Sequence, residues 1–136
     1  DPTVVTEIAD YFKREIGYDI PPMTPFVGEN FNVTKAGIHA DGLMKDEEIY
    51  NIFNTTKILN RAPGVSVSKT SGLAGIAYWM NEHYRLTGSE KLTKDDELVK
   101  TLKEWVDEMY ADGRTTSLST GEMEQKIAEL RAQGIK

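Results

Sequence analysis

TKDDELVKTLKEWVDEM, residues 93–109, indicates the class of fold. Acidic side chains open the stretch, where the positive end of a helix dipole stabilises them. Apolar residues then recur at spacings of three and four, which places them on one face of an α-helix. The residues of this face are Leu98, Leu102, Trp105 and Met109. The stretch therefore predicts an amphipathic helix that packs one face on a hydrophobic core.

Apolar residues with helical spacing also occur towards both ends of the chain. Residues 4–16 predict a helix with Thr3 as its N-cap and Gly17 as its stop. Ser119 and Glu122 have the spacing of a capping box, which predicts the start of a last helix. Ser71-Gly72 opens a further predicted helix, whose apolar face consists of Leu73, Ile76, Ala77, Met80 and Tyr84.

The region between these helices has a less regular pattern. Three prolines in residues 21–25 exclude a regular helix, and we expect a long ordered loop up to residue 34. A short helix is expected to begin at residue 35 or 36, and another to cover 46–53. Residues 65–68 predict a short strand or an extended linker. The predicted buried face of the 46–53 helix consists of Ile49, Ile52 and Phe53.

These segments predict a mostly α fold of five or six helices with one long ordered loop, and the composition is that of a soluble globular protein. The net charge of −6 disfavours nucleic acid and anionic membranes as partners, because both require a basic surface. The chain has no cysteine and no apolar run near the roughly 20 residues of a membrane span. We therefore expect a cytoplasmic protein without disulfides or a thiolate metal site.

His39 is the side chain that most suggests chemistry. It is one of two histidines, it lies between Gly37 and Gly42, and Asp41 could orient its imidazole. A histidine in such a place can transfer protons near neutral pH. The residues alone leave this role and that of a simple histidine at a helix start equally open. His83, inside a helical pattern, is expected to be a surface or packing residue.

Three short runs around His39 are similar to a known family of enzymes. They are PFVGENF at 25–31, AGIHADG at 36–42 and EIY at 48–50. Together they resemble the 2-isopropylmalate synthase and homocitrate synthase family, which includes citrate synthases of the Re type. Ser71-Gly72-Leu73 resembles a later family element whose third residue is basic, so Leu73 departs from the pattern.

The resemblance implies an acyltransferase of amino-acid biosynthesis, including leucine biosynthesis. These enzymes join the methyl carbon of acetyl-CoA to the keto carbon of a 2-oxo acid, which is held by a divalent metal in a (β/α)8 barrel. Such a barrel takes about 250 residues, so the 136-residue chain lacks it. A start at Asp1-Pro2 without Met suggests a piece of a longer protein, and Met removal or processing is the alternative explanation. We expect it to hold no metal or cofactor and to be inactive alone.

The resemblance also implies roles for individual residues. His39 would transfer a proton, and Tyr50 would pair with it or orient the acyl group. Asp41, Gly37 and Ser71 would bind or orient the substrate. In this family the histidine and the tyrosine reach into the active site of the partner subunit, so the expected assembly is a homodimer, either with or without a domain swap.

The same resemblance divides the chain into three parts. Residues 1–34 would be the last barrel helix and its connector, 35–62 a first helical subdomain with the histidine and tyrosine, and 63–136 a second helical subdomain. An alternative from the residues alone is a stand-alone helical protein-interaction module. That module would dock a partner through the apolar faces around Trp79 and Trp105.

Overall fold

The computed structural model describes residues 1–35 and 37–136, except the side chains of residues 37, 38, 41 and 44. The described part is mostly helical, so the predicted fold class is confirmed. Two-residue strands form a small sheet, and one π-helical and two 3₁₀ turns complete the regular structure of this part. The α-helices are α1 (Val4–Tyr11), α2 (Gly37–Lys45), α3 (Thr55–Leu59), α4 (Leu73–His83), α5 (Glu97–Ala111) and α6 (Thr120–Ala132). The strands are β1 (Val33–Thr34) and β2 (Gly64–Val65), the 3₁₀ turns Glu47–Ile49 and Gly88–Glu90, and the π turn Phe12–Ile16.

The chain divides into two compact units. The first unit consists of residues 1–34 and 42–64, and the second of residues 35–41 and 65–136. The boundary between them falls inside α2. The division into 1–34, 35–62 and 63–136 was inferred from the family resemblance and stays a prediction.

The second unit is built around α4, α5 and α6. The helix predicted first is present, but the stripe of residues that it buries is rotated from the one predicted. Leu98 and Leu102 are buried as expected, whereas Trp105 and Met109 lie at the edge of the core. Each fully buried aliphatic side chain stabilises the fold by about 1.5–3 kcal/mol, which favours the orientation of α5 that buries the larger number of such side chains. On α5 the buried residues are Leu98, Val99, Leu102, Val106 and Tyr110.

The start of α6 confirms the predicted capping box. The hydroxyl of Ser119 accepts a hydrogen bond from the Glu122 N–H at 3.2 Å, and a Glu122 carboxylate oxygen accepts one from the Ser119 N–H at 2.8 Å. Two backbone donors at the helix start are thereby satisfied. This fixes the first turn of α6, from which Met123, Ile127 and Leu130 enter the core.

In the first unit, α1 continues into the π turn and ends where Gly17 adopts a left-handed φ of 70°. The predicted stop is therefore confirmed. The predicted cap is wrong, because the Thr3 hydroxyl bonds Asp1 at 2.7 Å and makes no cap to α1. The large apolar side chains of this segment are exposed: Val4, Ile8, Tyr11, Phe12 and Ile16.

The loop between Gly17 and β1 is ordered, as predicted. Backbone hydrogen bonds fold it back on itself, including Gly28 N–H to Thr24 at 2.8 Å and Asn30 N–H to Pro22 at 2.8 Å. Gly28 is buried, and a Cβ there would collide with the carbonyl of Pro22. The loop therefore requires glycine at this position.

The helix predicted over 46–53 is wrong. Only a 3₁₀ turn forms over Glu47–Ile49, and Ile49 and Ile52 are 57% and 97% exposed. The cause lies in Glu47, whose carboxylate bonds the start of α3 at Thr55 instead of facing solvent on a helix. Side-chain bonds of this kind compete with continuous helix. The next helical segment of the chain is α3, which includes Ile58 and Leu59.

Among the described residues, no helix combines the length and apolar character needed to cross a membrane.

Candidate functional site

His39 lies in the first turn of α2, within the second unit. The predicted helix start at residue 36 lies outside the described residues, and α2 begins at Gly37. Ala40, the next residue, is fully buried, and α2 approaches α4 there because Gly75 has no side chain. Burial of Ala40 fixes this turn of the helix, and the neighbouring His39 is exposed. Its imidazole is accessible on an anchored helix.

Gly37 and Asp41 are also on α2, before and after His39. The side chain of Asp41 lies outside the described part of the chain. Their predicted roles in orienting the substrate or the imidazole stay predictions.

Tyr50 follows the 3₁₀ turn of the first unit and is 46% exposed. A tyrosine three residues before Phe53 on the predicted helix would usually be a core residue, but Tyr50 lies neither in a helix nor in the core. The ring packs on the backbone of α2 at Gly42, where a Cβ would lie 3.1 Å from Cζ of the ring and closer still to Cε2. The second glycine of the motif therefore makes room for Tyr50.

Glu47 fixes the segment that carries Tyr50. Glu47 as a whole residue is 8% exposed. Its carboxylate accepts hydrogen bonds from the Thr55 N–H at 2.6 Å, the Thr55 hydroxyl, the Thr56 hydroxyl at 3.1 Å and the Asn51 amide at 3.3 Å. Its own carbonyl accepts from the N–H groups of Tyr50 and Asn51 at 3.3 and 3.1 Å. Burial raises the pKa of Glu47, but the hydrogen bonds from Thr55 and Thr56 outweigh burial and hold that pKa below its ordinary value.

Sequence reasoning missed Glu47 because Asp46, Glu47 and Glu48 together suit the first turn of the helix predicted over 46–53, where the helix dipole favours acidic side chains. A signal was present in Asn54-Thr55-Thr56, which combines an N-cap residue with two hydroxyls. Asn54 does cap α3, since its side chain accepts from the Lys57 N–H at 2.9 Å.

Ser71 is 2% exposed and lies just before α4. Its hydroxyl accepts from the Ser68 N–H at 2.9 Å and donates to the Ser66 carbonyl at 3.3 Å. These bonds shape the turn that leads into α4. Its predicted contact with substrate stays a prediction. Leu73, in the place of a basic residue, packs against the core of the second unit.

His83 is a packing residue, as predicted. Its ring stacks on Trp79 with centroids 4.6 Å apart, and Nε2 lies 2.8 Å from a carboxylate oxygen of Glu124. Trp79 and Trp105 both pack against the core of the second unit, so the faces that a Trp-based docking module requires are partly covered.

The predicted site residues fall in different units. His39 and Ser71 belong to the second unit and Tyr50 to the first, so each is described within its own unit. Among the described residues, no three His, Asp or Glu side chains form a group that could hold a metal ion.

Comparison with known proteins gives a consistent group of relatives, although no protein-family model matches. The chain is 52% identical over 133 residues to citrate (Re)-synthase of Clostridium kluyveri, which covers 98% of the chain and 29% of that protein. It is 36% identical to 2-phosphinomethylmalate synthase of Streptomyces hygroscopicus over 79% of the chain and 24% of the relative. It is 30% identical to 2-isopropylmalate synthase 2 of Caldanaerobacter subterraneus over 62% of the chain and 22% of the relative. The chain thus spans less than a third of the length of these relatives.

Proposed function

Because the chain belongs to the family of 2-isopropylmalate synthases and citrate (Re)-synthases, we propose that it is the C-terminal part of an acyltransferase that condenses acetyl-CoA with a 2-oxo acid. The observation that carries this proposal is the 52% identity to a citrate (Re)-synthase over nearly the whole chain. A resemblance in three short motifs thereby extends over 133 residues.

The product names of the relatives support a common reaction. Citrate, 2-phosphinomethylmalate and 2-isopropylmalate are all malates with a substituent on carbon 2. Removal of a two-carbon acetyl arm from any of them leaves a 2-oxo acid, and for citrate this acid is oxaloacetate. We therefore take oxaloacetate as the 2-oxo acid of the parent enzyme.

The reaction needs one proton transfer at carbon. A base removes a proton from the acetyl methyl group, and the resulting carbanion attacks the keto carbon. The keto oxygen becomes a hydroxyl, and water cleaves the thioester to give a carboxylate and the CoA thiol. In this proposal a divalent metal, held by the rest of the parent enzyme, would polarise the keto oxygen.

His39 is the proposed proton-transfer residue. Imidazole exchanges protons readily near neutral pH, and the exposed position of His39 next to the buried Ala40 makes it reachable. Tyr50 would position the imidazole or the acyl group through its hydroxyl. The close packing of its ring on Gly42 supports a fixed position for that hydroxyl.

Both residues would act in the active site of a partner subunit, with Gly37, Asp41 and Ser71 orienting the substrate. The exposed apolar side chains of α1 support association with the rest of the parent or with a second copy. By itself the 136-residue chain would not turn over substrate.

The test is an assay of the full-length parent for release of CoA thiol from acetyl-CoA. Oxaloacetate, 3-methyl-2-oxobutanoate and 2-oxoglutarate are offered in separate reactions. We expect oxaloacetate to give the highest kcat/KM, with no turnover by the 136-residue chain. Absence of thiol release with every 2-oxo acid would refute the proposed function, and turnover by the isolated chain would refute its incompleteness.

A further inference from the structure

A cleft in the second unit carries positive charge, although the chain as a whole has a net charge of −6. Its volume is about 510 Å³. It lies between the segment that contains Lys35 and residues 68–70 and the loop 115–117 that precedes α6. The described residues that line it include Lys35 and Lys69 but no Asp or Glu. The described lining of this cleft is therefore positively charged, in contrast to the chain as a whole.

Hydrogen bonds hold the two walls of the cleft in place. The N–H of Leu118 donates to the carbonyl of Val67 at 2.9 Å and joins the walls at their base. The carbonyl of Thr116 accepts from the Tyr110 hydroxyl at 2.6 Å and from Nε of Arg114 at 3.0 Å. The cleft is therefore formed before any ligand arrives.

Two further hydrogen bonds join the backbone of Lys35 to the segment that contains Lys69. The carbonyl of Lys35 accepts from the Thr70 hydroxyl at 3.2 Å and from the Ser68 hydroxyl at 3.5 Å, so Lys35 lies beside the segment that carries Lys69. Both lysines line the cleft, so an anion inside it is attracted to two positive charges. Neither ammonium group forms an ion pair with a described carboxylate.

The carboxylate of Glu122, which bonds Arg114 and Ser119 on either side of this loop, is already paired. The two carboxylate oxygens of Glu122 accept from Arg114 at 2.6 and 2.8 Å, and one also accepts from the Ser119 N–H at 2.8 Å. These bonds hold the pKa of Glu122 at about 2. Glu122 therefore stays paired with Arg114 and leaves the lysine charges to a ligand.

We propose that this cleft binds a phosphate group of a ligand, with Lys35 and Lys69 supplying the charge and the hydroxyls of Thr115 and Ser117 supplying hydrogen bonds. Lysine binds phosphate as a compact point charge with three donors. The volume falls within the range of roughly 300–1,000 Å³ for organic ligands, so there is room for the group that the phosphate carries. The expected source is the terminal 3′-phosphate of CoA, and this assignment of source rests on the proposed function.

The experiment is calorimetric titration of the 136-residue chain at low ionic strength with CoA, 3′-dephospho-CoA and inorganic phosphate. Each ligand is titrated into the wild type, Lys35→Ala/Lys69→Ala and the control Lys94→Ala, which removes an exposed lysine outside the cleft. We expect CoA to bind more tightly than 3′-dephospho-CoA. The double variant should lose about tenfold in affinity for CoA, as two exposed charge contacts allow. The control should bind like the wild type, and unfolding midpoints of all three proteins confirm that they are folded.

The outcomes test the phosphate site separately from the proposed function. Inorganic phosphate binding as tightly as CoA, and lost in the double variant, would support the phosphate site and assign it to free phosphate. Equal affinity of the wild type and the double variant for every ligand, or an equal loss in Lys94→Ala, would overturn the proposal. A parent enzyme that does not use acetyl-CoA would refute the proposed function while the inorganic phosphate titration still tests the cleft.

Discussion

Replacement of Glu47 by alanine should destabilise the first unit more than any surface change nearby. The substitution removes the acceptor of the N–H and the hydroxyl of Thr55, a residue that is 2% exposed. A buried donor without a partner costs about 1–3 kcal/mol. The two donors of Thr55 together predict a loss of about 2–6 kcal/mol, which corresponds to roughly 10 °C or more in the unfolding midpoint. Glu47→Gln keeps one acceptor oxygen for Thr55, so its predicted loss is smaller, about 1–2 kcal/mol.

The effect of Glu47 should also depend on pH. Its pKa in the folded chain lies below the ordinary value, because the bonds from Thr55 and Thr56 outweigh burial. The carboxylate therefore contributes its full stability above the unfolded pKa of about 4.3, and this contribution is lost as pH falls through the folded pKa. Urea unfolding followed by circular dichroism should show a large difference between wild type and Glu47→Ala at about pH 7 and a smaller one at about pH 3.

Glu48 provides the matched control. It is the next residue, it is exposed, and Glu48→Ala removes the same charge without touching Thr55. A surface change of this kind should alter stability by less than about 0.5 kcal/mol. If Glu47→Ala unfolds at the same urea concentration as Glu48→Ala, the carboxylate does not hold α3 in the way described.

Three further predictions concern the proposed site and its surroundings. In the parent enzyme, His39→Ala should lower kcat by about 10²- to 10⁴-fold with little change in KM for the 2-oxo acid. The double variant with Tyr50→Phe should lose less activity than the product of the two single losses. A His39→Ala enzyme that is destabilised but has a normal kcat would rule out the catalytic role of His39. Gly42→Ala should gain roughly 1 kcal/mol of helix propensity and at the same time displace the Tyr50 ring, so the unfolding midpoint should change little. Because the ring is displaced, kcat of the parent should fall at least as far as it does in Tyr50→Phe. An unchanged kcat would contradict a need for the ring at this position. The 136-residue chain should associate through the exposed face of α1, and Ile8→Lys should weaken that association in light scattering; a wild-type monomer at high concentration would argue against it.

The helices of the second unit were readable from the sequence because their apolar periodicity, caps and glycines all agree. Ser119 and Glu122 cap α6 as their spacing predicts, and Ile76 and Met80 are fully buried on α4. In α5 the predicted stripe was displaced, because Val99 and Val106 compete with Trp105 and Met109 for the core. Periodicity defines a helix but leaves the rotation of its buried face to packing.

The structure around the candidate site was harder to predict from the sequence, because contacts of individual side chains determine it. A carboxylate at Glu47 favours a helix start by its charge, yet a hydrogen bond to Thr55 eight residues later ends that helix after one turn. Gly42 looked like a partner of His39, and the structure shows that it accommodates the ring of Tyr50. Such pairings depend on distances that no local pattern contains.

The bond between Val67 and Leu118 has a kinetic consequence. These residues are roughly 50 positions apart, and closing a loop of that length carries an entropic cost that must be met before the contact can form. The local contacts of α4 with α5 and of α5 with α6 form sooner, so the two walls of the phosphate cleft should meet late on the folding pathway. Interactions that are absent from the transition state act on the unfolding rate. An anion held between these walls would therefore slow the opening of the second unit without accelerating its folding.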